Sequence, residues 1–134
     1  MRIGIVGNKN YQNKRAIKNL LFELKKKYGK ELSIISTGNK VGAEKLAKDC
    51  ALDLDIRYIE YPLMSEKYNM FCQQNGKPAF LYNKKYSPKY KFYQVSDIIK
   101  NTDFLVIYNH TNDPIVKKYI NTAESKNKKH TILG

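Results

Sequence analysis

Leu32-Ser33-Ile34-Ile35-Ser36-Thr37-Gly38-Asn39-Lys40-Val41-Gly42-Ala43-Glu44 is the stretch on which the fold turns. A short apolar run ends in small polar residues and glycine, and a helical pattern follows at once. The start of the chain repeats the arrangement in Arg2-Ile3-Gly4-Ile5-Val6-Gly7-Asn8-Lys9. At such junctions an α/β sheet presents backbone N–H groups and helix N-termini, both suited to an anion. The pair points to a nucleotide or phosphorylated ligand without fixing a reaction.

Outward from these junctions, strand and helix signals alternate. Strands are expected at 2–6, 32–36, 56–60 (closed by Pro62), 103–108 and 131–133. A helix is expected at 14–28, where Ile17, Leu20, Leu21, Leu24 and Tyr28 recur at offsets of three and four. Asn13 is its expected N-cap and Gly29 its stop. A second helix is expected at 40–52 with Val41, Leu46, Ala47 and Cys50 inward. A third follows Asp113-Pro114, a cap with proline at the first helical position, and carries Ile115, Val116, Tyr119, Ile120 and Ala123. The strands are apolar on both faces, which calls for a mostly parallel sheet covered by helices on both sides. The expected fold class is therefore α/β, a Rossmann-like three-layer sandwich forming one domain over 1–134. Residues 63–93 break the alternation and read as an irregular aromatic- and lysine-rich insertion, with helical pieces at about 63–73 and 94–101.

Composition narrows the class. Hydrophobic residues are 42% and aromatics 12% of the 134, enough for a packed core. The early charge at Arg2 argues against a signal peptide, and no apolar run approaches the roughly 20 residues of a membrane span. A cytoplasmic protein is expected, in a bacterium or a phage-infected host cell, since the Lys/Asn-rich composition suits a phage or an AT-rich genome. Cys50 and Cys72 have no CxxC partner and no nearby histidine pair, so two idle thiols are expected and no metal site. The net charge is +13. Such a field attracts nucleic acid or nucleotides, but nearly all of the excess is lysine, as AT-rich coding also produces. The only arginines are Arg2, Arg15 and Arg57, although arginine's planar fork is the usual device for specific phosphate recognition. Both explanations stand at this level.

Each motif carries a functional and a bland reading. Gly7, Asn8 and Lys9 would meet a phosphate, or form an ordinary strand-to-helix turn. Ser36, Thr37, Gly38 and Gly42 would cradle an anion with backbone and hydroxyl donors, with Glu44 on a sugar. Alternatively they form a capped helix start in which Glu44 favours the dipole. Glycine in a helix start costs about 1 kcal/mol against alanine, so something should use Gly42. The spacing is neither a Walker loop nor GxGxxG. His110 and Thr111, after the strand at 103–108, would close the far side, or lie in a surface loop. Lys77, Tyr82, Lys84, Lys85, Tyr86 and Lys89 would stack bases and follow phosphates, or cover a sheet edge.

These junctions resemble the SLOG superfamily, and within it the DUF2493 family, the YspA-related, cpYpsA-like branch. That pattern is a first strand ending Gly-Ser-Arg, then a second ending Ser-Gly-Gly followed by Gly-Ala-Asp. Here it becomes Gly7-Asn8-Lys9, then Ser36-Thr37-Gly38 with Gly42-Ala43-Glu44. The resemblance runs through Leu46-Ala47 to the strand at 103–108. It implies a Rossmann-like fold binding nucleotides or nucleotide-derived ligands at these loops. Superfamily relatives include cytokinin-activating phosphoribohydrolases, nucleotide sensors and the DNA-processing protein DprA, and homo-oligomers are common. The Pro-Gly-Gly-x-Gly-Thr loop of the phosphoribohydrolases is replaced by Asn109-His110-Thr111-Asn112, and Gln94-Val95 stand where members carry Arg-Asn. The expected function is thus binding of a nucleotide-like ligand without assigned catalysis. The alternatives are a nucleic-acid-binding module with DprA-like logic and a small nucleotide hydrolase.

Overall fold

The computed structural model describes residues 1–109 and 112–134. Five strands, β1 (Arg2–Gly7), β2 (Ser33–Ser36), β3 (Arg57–Glu60), β4 (Phe104–Tyr108) and β5 (His130–Leu133), form one sheet in the order β3-β2-β1-β4-β5. Every pairing is parallel, with Gly7 level with Tyr108 and Ser36 level with Glu60. The helices are α1 (Lys14–Tyr28), α2 (Gly42–Asp53), α3 (Lys89–Lys100) and α4 (Pro114–Ser125). This is the Rossmann-like three-layer arrangement that the apolar strands require.

The pleat sends alternate side chains to opposite faces. Ile3, Ile5, Ile34, Tyr58, Val106 and Tyr108 meet Ile17 and Leu21 of α1 and Ala43, Ala47, Cys50 and Ala51 of α2. Val6, Ile35, Ile59, Leu105 and Ile107 meet Val95, Ile98 and Ile99 of α3 and Val116, Tyr119 and Ala123 of α4. Each fully buried aliphatic side chain contributes about 1.5–3 kcal/mol, so the central strands dominate the core. Cys50 and Cys72 are free and buried.

The ends of the helices follow local chemistry. Asn13 caps α1 by accepting the Ala16 N–H, and Gly29 closes it with its N–H on the Lys25 carbonyl. Asp113 caps α4 by accepting the Ile115 N–H, with Pro114 next. α2 starts later than expected; Ala47 and Cys50 face inward as expected and Leu46 packs half-buried against the core, whereas Val41 does not. Val41 is its exposed N-cap, and Ala43, Glu44, Ala47, Cys50 and Ala51 face inward.

The connection from β3 to α3 carries the chain from one face of the sheet to the other. The helix expected at 63–73 does not form: residues 63–71 are turns and irregular chain, followed by two 3-10 turns, Cys72–Asn75 and Ala79–Leu81. The Asn69 side chain accepts the N–H groups of Phe71 and Cys72, and the Asn75 side chain accepts that of Lys77. Such side-chain turns compete with helix. α3 begins at Lys89, directly after Pro88, so the irregular insertion is 61–88 and five residues assigned to it by sequence are helical. The insertion covers the outer edge of β3, where the Glu60 N–H donates to the Phe71 carbonyl and the Asn75 amide donates to the Glu60 carbonyl. No helix among the described residues is long and apolar enough to cross a membrane.

Candidate functional site

β1 lies between β2 and β4, and the crossovers from these neighbours cover opposite faces. That is the switch point at which open α/β sheets form a crevice at their C-terminal edge. Glu44 sits there, turned inward and 3% exposed. Its carboxylate accepts the Gly7 N–H at 3.2 Å and the Thr37 hydroxyl at 2.5 Å. Burial pushes its pKa up; the hydrogen bonds from Thr37 and Gly7 and the charge of Lys91 oppose that shift, and Asp113 adds to it. Glu44 is therefore a brace between the ends of β1 and β2, where the sequence had suggested a sugar contact. Thr37 also accepts the Asn39 N–H, and the Ser36 hydroxyl donates to the Ile5 carbonyl inside the sheet.

The glycines have structural users. Gly42 has φ +77°, and a Cβ there would lie 2.3 Å from the Asn8 carbonyl oxygen. That carbonyl accepts the Ala43 N–H, so the start of α2 is capped by the β1–α1 loop. A Cβ on Gly7 would meet the Tyr108 carbonyl oxygen at 2.6 Å, and one on Gly38 (φ +75°) the Glu60 carboxylate at 2.3 Å. Glu60 in turn accepts from Lys48, Tyr58 and Asn69.

A cavity of about 170 Å³ opens between the β2–α2 loop and α3, lined by Thr37, Gly38, Asn39, Lys40, Leu63, Glu66, Lys91 and Gln94. Lys91 enters it half-buried, with its ammonium on the Gln94 side-chain oxygen at 3.0 Å. Gln94 is held by donating to the Tyr61 carbonyl. Burial lowers the Lys91 pKa, while Glu44 and Asp113 raise it and Lys118 lowers it. A second hollow of about 410 Å³ shares Gly38, Lys40 and Glu66 and extends along Lys48, Glu60 and Asn69.

The ten residues expected at the ligand do not form one wall. Thr37 and Gly38 line the cavity, whereas Lys9 and Gly42 line another hollow, between the β1–α1 loop and the start of α2. Gly7, Asn8, Ser36 and Glu44 lie buried behind the loops. His110 and Thr111 lie outside the described residues. Of the expected nucleic-acid residues, Lys84, Lys85, Tyr86 and Lys89 are exposed. Tyr82 is buried with its hydroxyl on Asn75, and Lys77 pairs with Asp97 at 2.8 Å. Asn39, Lys40, Leu63, Glu66, Lys91 and Gln94 also line the cavity without having been expected there, and Lys91 is the one with a charge partly buried in it. Its signal is the phase of α3: Lys91, Gln94, Val95 and Ile98 share one face, and a lysine on an apolar face is an anomaly.

Together, an all-parallel sheet of order 3-2-1-4-5 and helices on both of its faces define a Rossmann-like α/β fold, with a cavity at the sheet's C-terminal edge. Among solved structures, the chain is similar to the Moco carrier protein from Chlamydomonas reinhardtii. The TM-score is 0.64 at 16% identity, covering 99% of this chain and 75% of that one. The likeness is one of fold. No protein-family model matches the sequence, and no curated protein matches it.

Proposed function

We propose that this protein binds a small phosphorylated ligand, a nucleotide or a nucleotide derivative, in the cavity between the β2–α2 loop and α3. The observation that carries the reading is the half-buried Lys91 ammonium in a cavity at the sheet's C-terminal edge. A lysine partly stripped of water regains electrostatic stabilisation when an anion enters beside it. Thr37, Gly38, Asn39 and Lys40 form the facing wall, and the larger hollow beyond Gly38 leaves room for the rest of the ligand. Glu44 acts by holding the loops rather than by touching the ligand. The SLOG-like junctions of the sequence support the same class, as does the similarity in fold to a protein that carries Moco.

The test is a thermal-shift and calorimetric titration with nucleotides, cyclic nucleotides and ADP-ribose-like compounds. A ligand at 100 times its dissociation constant adds about 2.7 kcal/mol of stability. Lys91→Gln is expected to abolish that shift. Gly38 substitutions are unsuitable, because a side chain there strikes Glu60 whatever binds. A panel that leaves the melting temperature unmoved, or a shift that survives Lys91→Gln, defeats the proposal.

A further inference from the structure

All twelve acidic residues lie outside residues 67–96, which carry six lysines: Lys67, Lys77, Lys84, Lys85, Lys89 and Lys91. A genome-wide bias adds lysine and tyrosine along the whole chain, but it does not clear one stretch of acids. Nor does it decide which rings face water. Here Phe80 is 73% exposed, Tyr86 65%, Phe92 60% and Tyr93 45%. Four large rings exposed within one short stretch of chain, unlike rings scattered singly, point to an interaction surface. They are displayed from a fixed support. Tyr82 is buried with its hydroxyl on the Asn75 amide, and the N–H groups of Asn83 and Lys84 donate to the carbonyls of Glu66 and Met64. Lys118 of α4 places its ammonium 3.7 Å from the Phe92 ring centroid, so a cation already accompanies one ring.

We infer that the segment 80–93, with Phe80, Tyr86, Phe92 and Tyr93 as rings and Lys84, Lys85 and Lys89 as cations, binds single-stranded nucleic acid. Bases stack on aromatic faces irrespective of sequence, and interspersed lysines follow the phosphates. A duplex keeps its bases stacked inside and offers such rings nothing. Phe80 lies in a 3-10 turn, Tyr86 in the loop after it, and only Phe92 and Tyr93 on α3, which sets the segment apart from an amphipathic membrane-lying helix. This inference is independent of the cavity ligand, since Lys91 faces the cavity and not this surface.

The experiment is fluorescence anisotropy of the full chain with labelled single-stranded DNA and RNA of a dozen nucleotides. The same DNA as a duplex, and anionic phosphatidylserine vesicles, serve as competitors. Tyr86→Ala and Phe92→Ala are each expected to weaken single-strand binding roughly 5- to 150-fold, the range for one stacked base. Phe22→Ala, at a 51% exposed ring on α1, is expected to change nothing. Three phosphate contacts give a log–log salt slope of about −2, so raising salt from about 50 to about 200 mM weakens binding roughly 20-fold. Lys91→Gln is expected to leave oligonucleotide binding intact, which separates this surface from the cavity. Binding that ignores the ring variants, equals that of the duplex, is flat with salt, or is displaced by vesicles better than by single strands overturns the inference.

Discussion

Glu44 on α2 accepts the backbone N–H of Gly7 and the hydroxyl of Thr37, so one buried carboxylate ties the ends of two neighbouring strands. The loops on either side of β1 therefore do not float above the sheet. They are set by a side chain that is 3% exposed.

Glu44→Ala leaves the Gly7 N–H and the Thr37 hydroxyl buried without this acceptor. Each unsatisfied buried donor costs about 1–3 kcal/mol. We expect a loss of about 2–4 kcal/mol in urea unfolding at neutral pH, with an unchanged dependence on denaturant. A loss below about 0.5 kcal/mol would show that the brace carries no weight.

The same group sets a pH dependence. Burial places the folded Glu44 pKa above its ordinary value of 4.5, so the folded state holds the proton more tightly than the unfolded chain. The resulting stabilisation is complete below pH 4.5 and is lost as pH rises through the folded pKa. Glu44→Gln removes this dependence. The stability difference, wild type minus Glu44→Gln, should therefore fall as pH rises from about 4, while the other groups cancel in the comparison. A flat or rising difference contradicts the burial argument.

Gly42 and Gly76 both have positive φ, +77° and +81°, but a Cβ meets the Asn8 carbonyl at one and nothing within 4 Å at the other. Gly76→Ala should cost only the left-handed backbone, about 1–2 kcal/mol. Gly42→Ala adds a collision with three backbone atoms of the β1–α1 loop, and should cost at least about 2 kcal/mol more, as overpacking does. Equal costs by thermal unfolding would mean that the loop yields freely.

Tyr82 pins the insertion. Burial raises its pKa to about 12, with the Asn75 hydrogen bond acting the other way. Tyr82→Phe removes one hydrogen bond and should cost about 1 kcal/mol. The wild type should also lose stability as pH rises from 10 toward 12, because the unfolded tyrosine ionises first, and the variant should lose less over that window. Parallel alkaline unfolding curves for the two proteins would refute this assignment.

The sheet was legible in the sequence because its signals are local and redundant. Asn13, Gly29 and Asp113-Pro114 mark helix ends through their own backbone chemistry, and β-branched runs mark strands. The insertion was less so. Asn69 and Asn75 build turns from side-chain bonds that look like ordinary polar residues in a helical window, and α3 was consequently started five residues late. That late start hid Lys91, whose meaning depends on the face it shares with Gln94, Val95 and Ile98. The glycine junctions are legible, but part of what requires them is not: Gly42 accommodates the Asn8 carbonyl and Gly38 the Glu60 carboxylate, contacts between segments far apart in the chain. No local pattern encodes such meetings.

Lys91 separates a structural role from a binding one. Its folded pKa lies below the ordinary 10.5, chiefly because burial opposes the charge. The charged form is thus a burden on the folded state at neutral pH, and stability rises as pH climbs through the folded value toward 10.5. Lys91→Gln lifts that burden and keeps a hydrogen-bonding head for Gln94. The ligand-free variant should melt at or above the wild-type temperature, while losing the shift caused by phosphorylated ligands. A residue that weakens the fold and is needed for a ligand is the trade expected at a binding site. If Lys91→Gln instead lowers the ligand-free melting temperature and leaves the ligand shift unchanged, Lys91 is a packing stem for α3 and the cavity loses its claim.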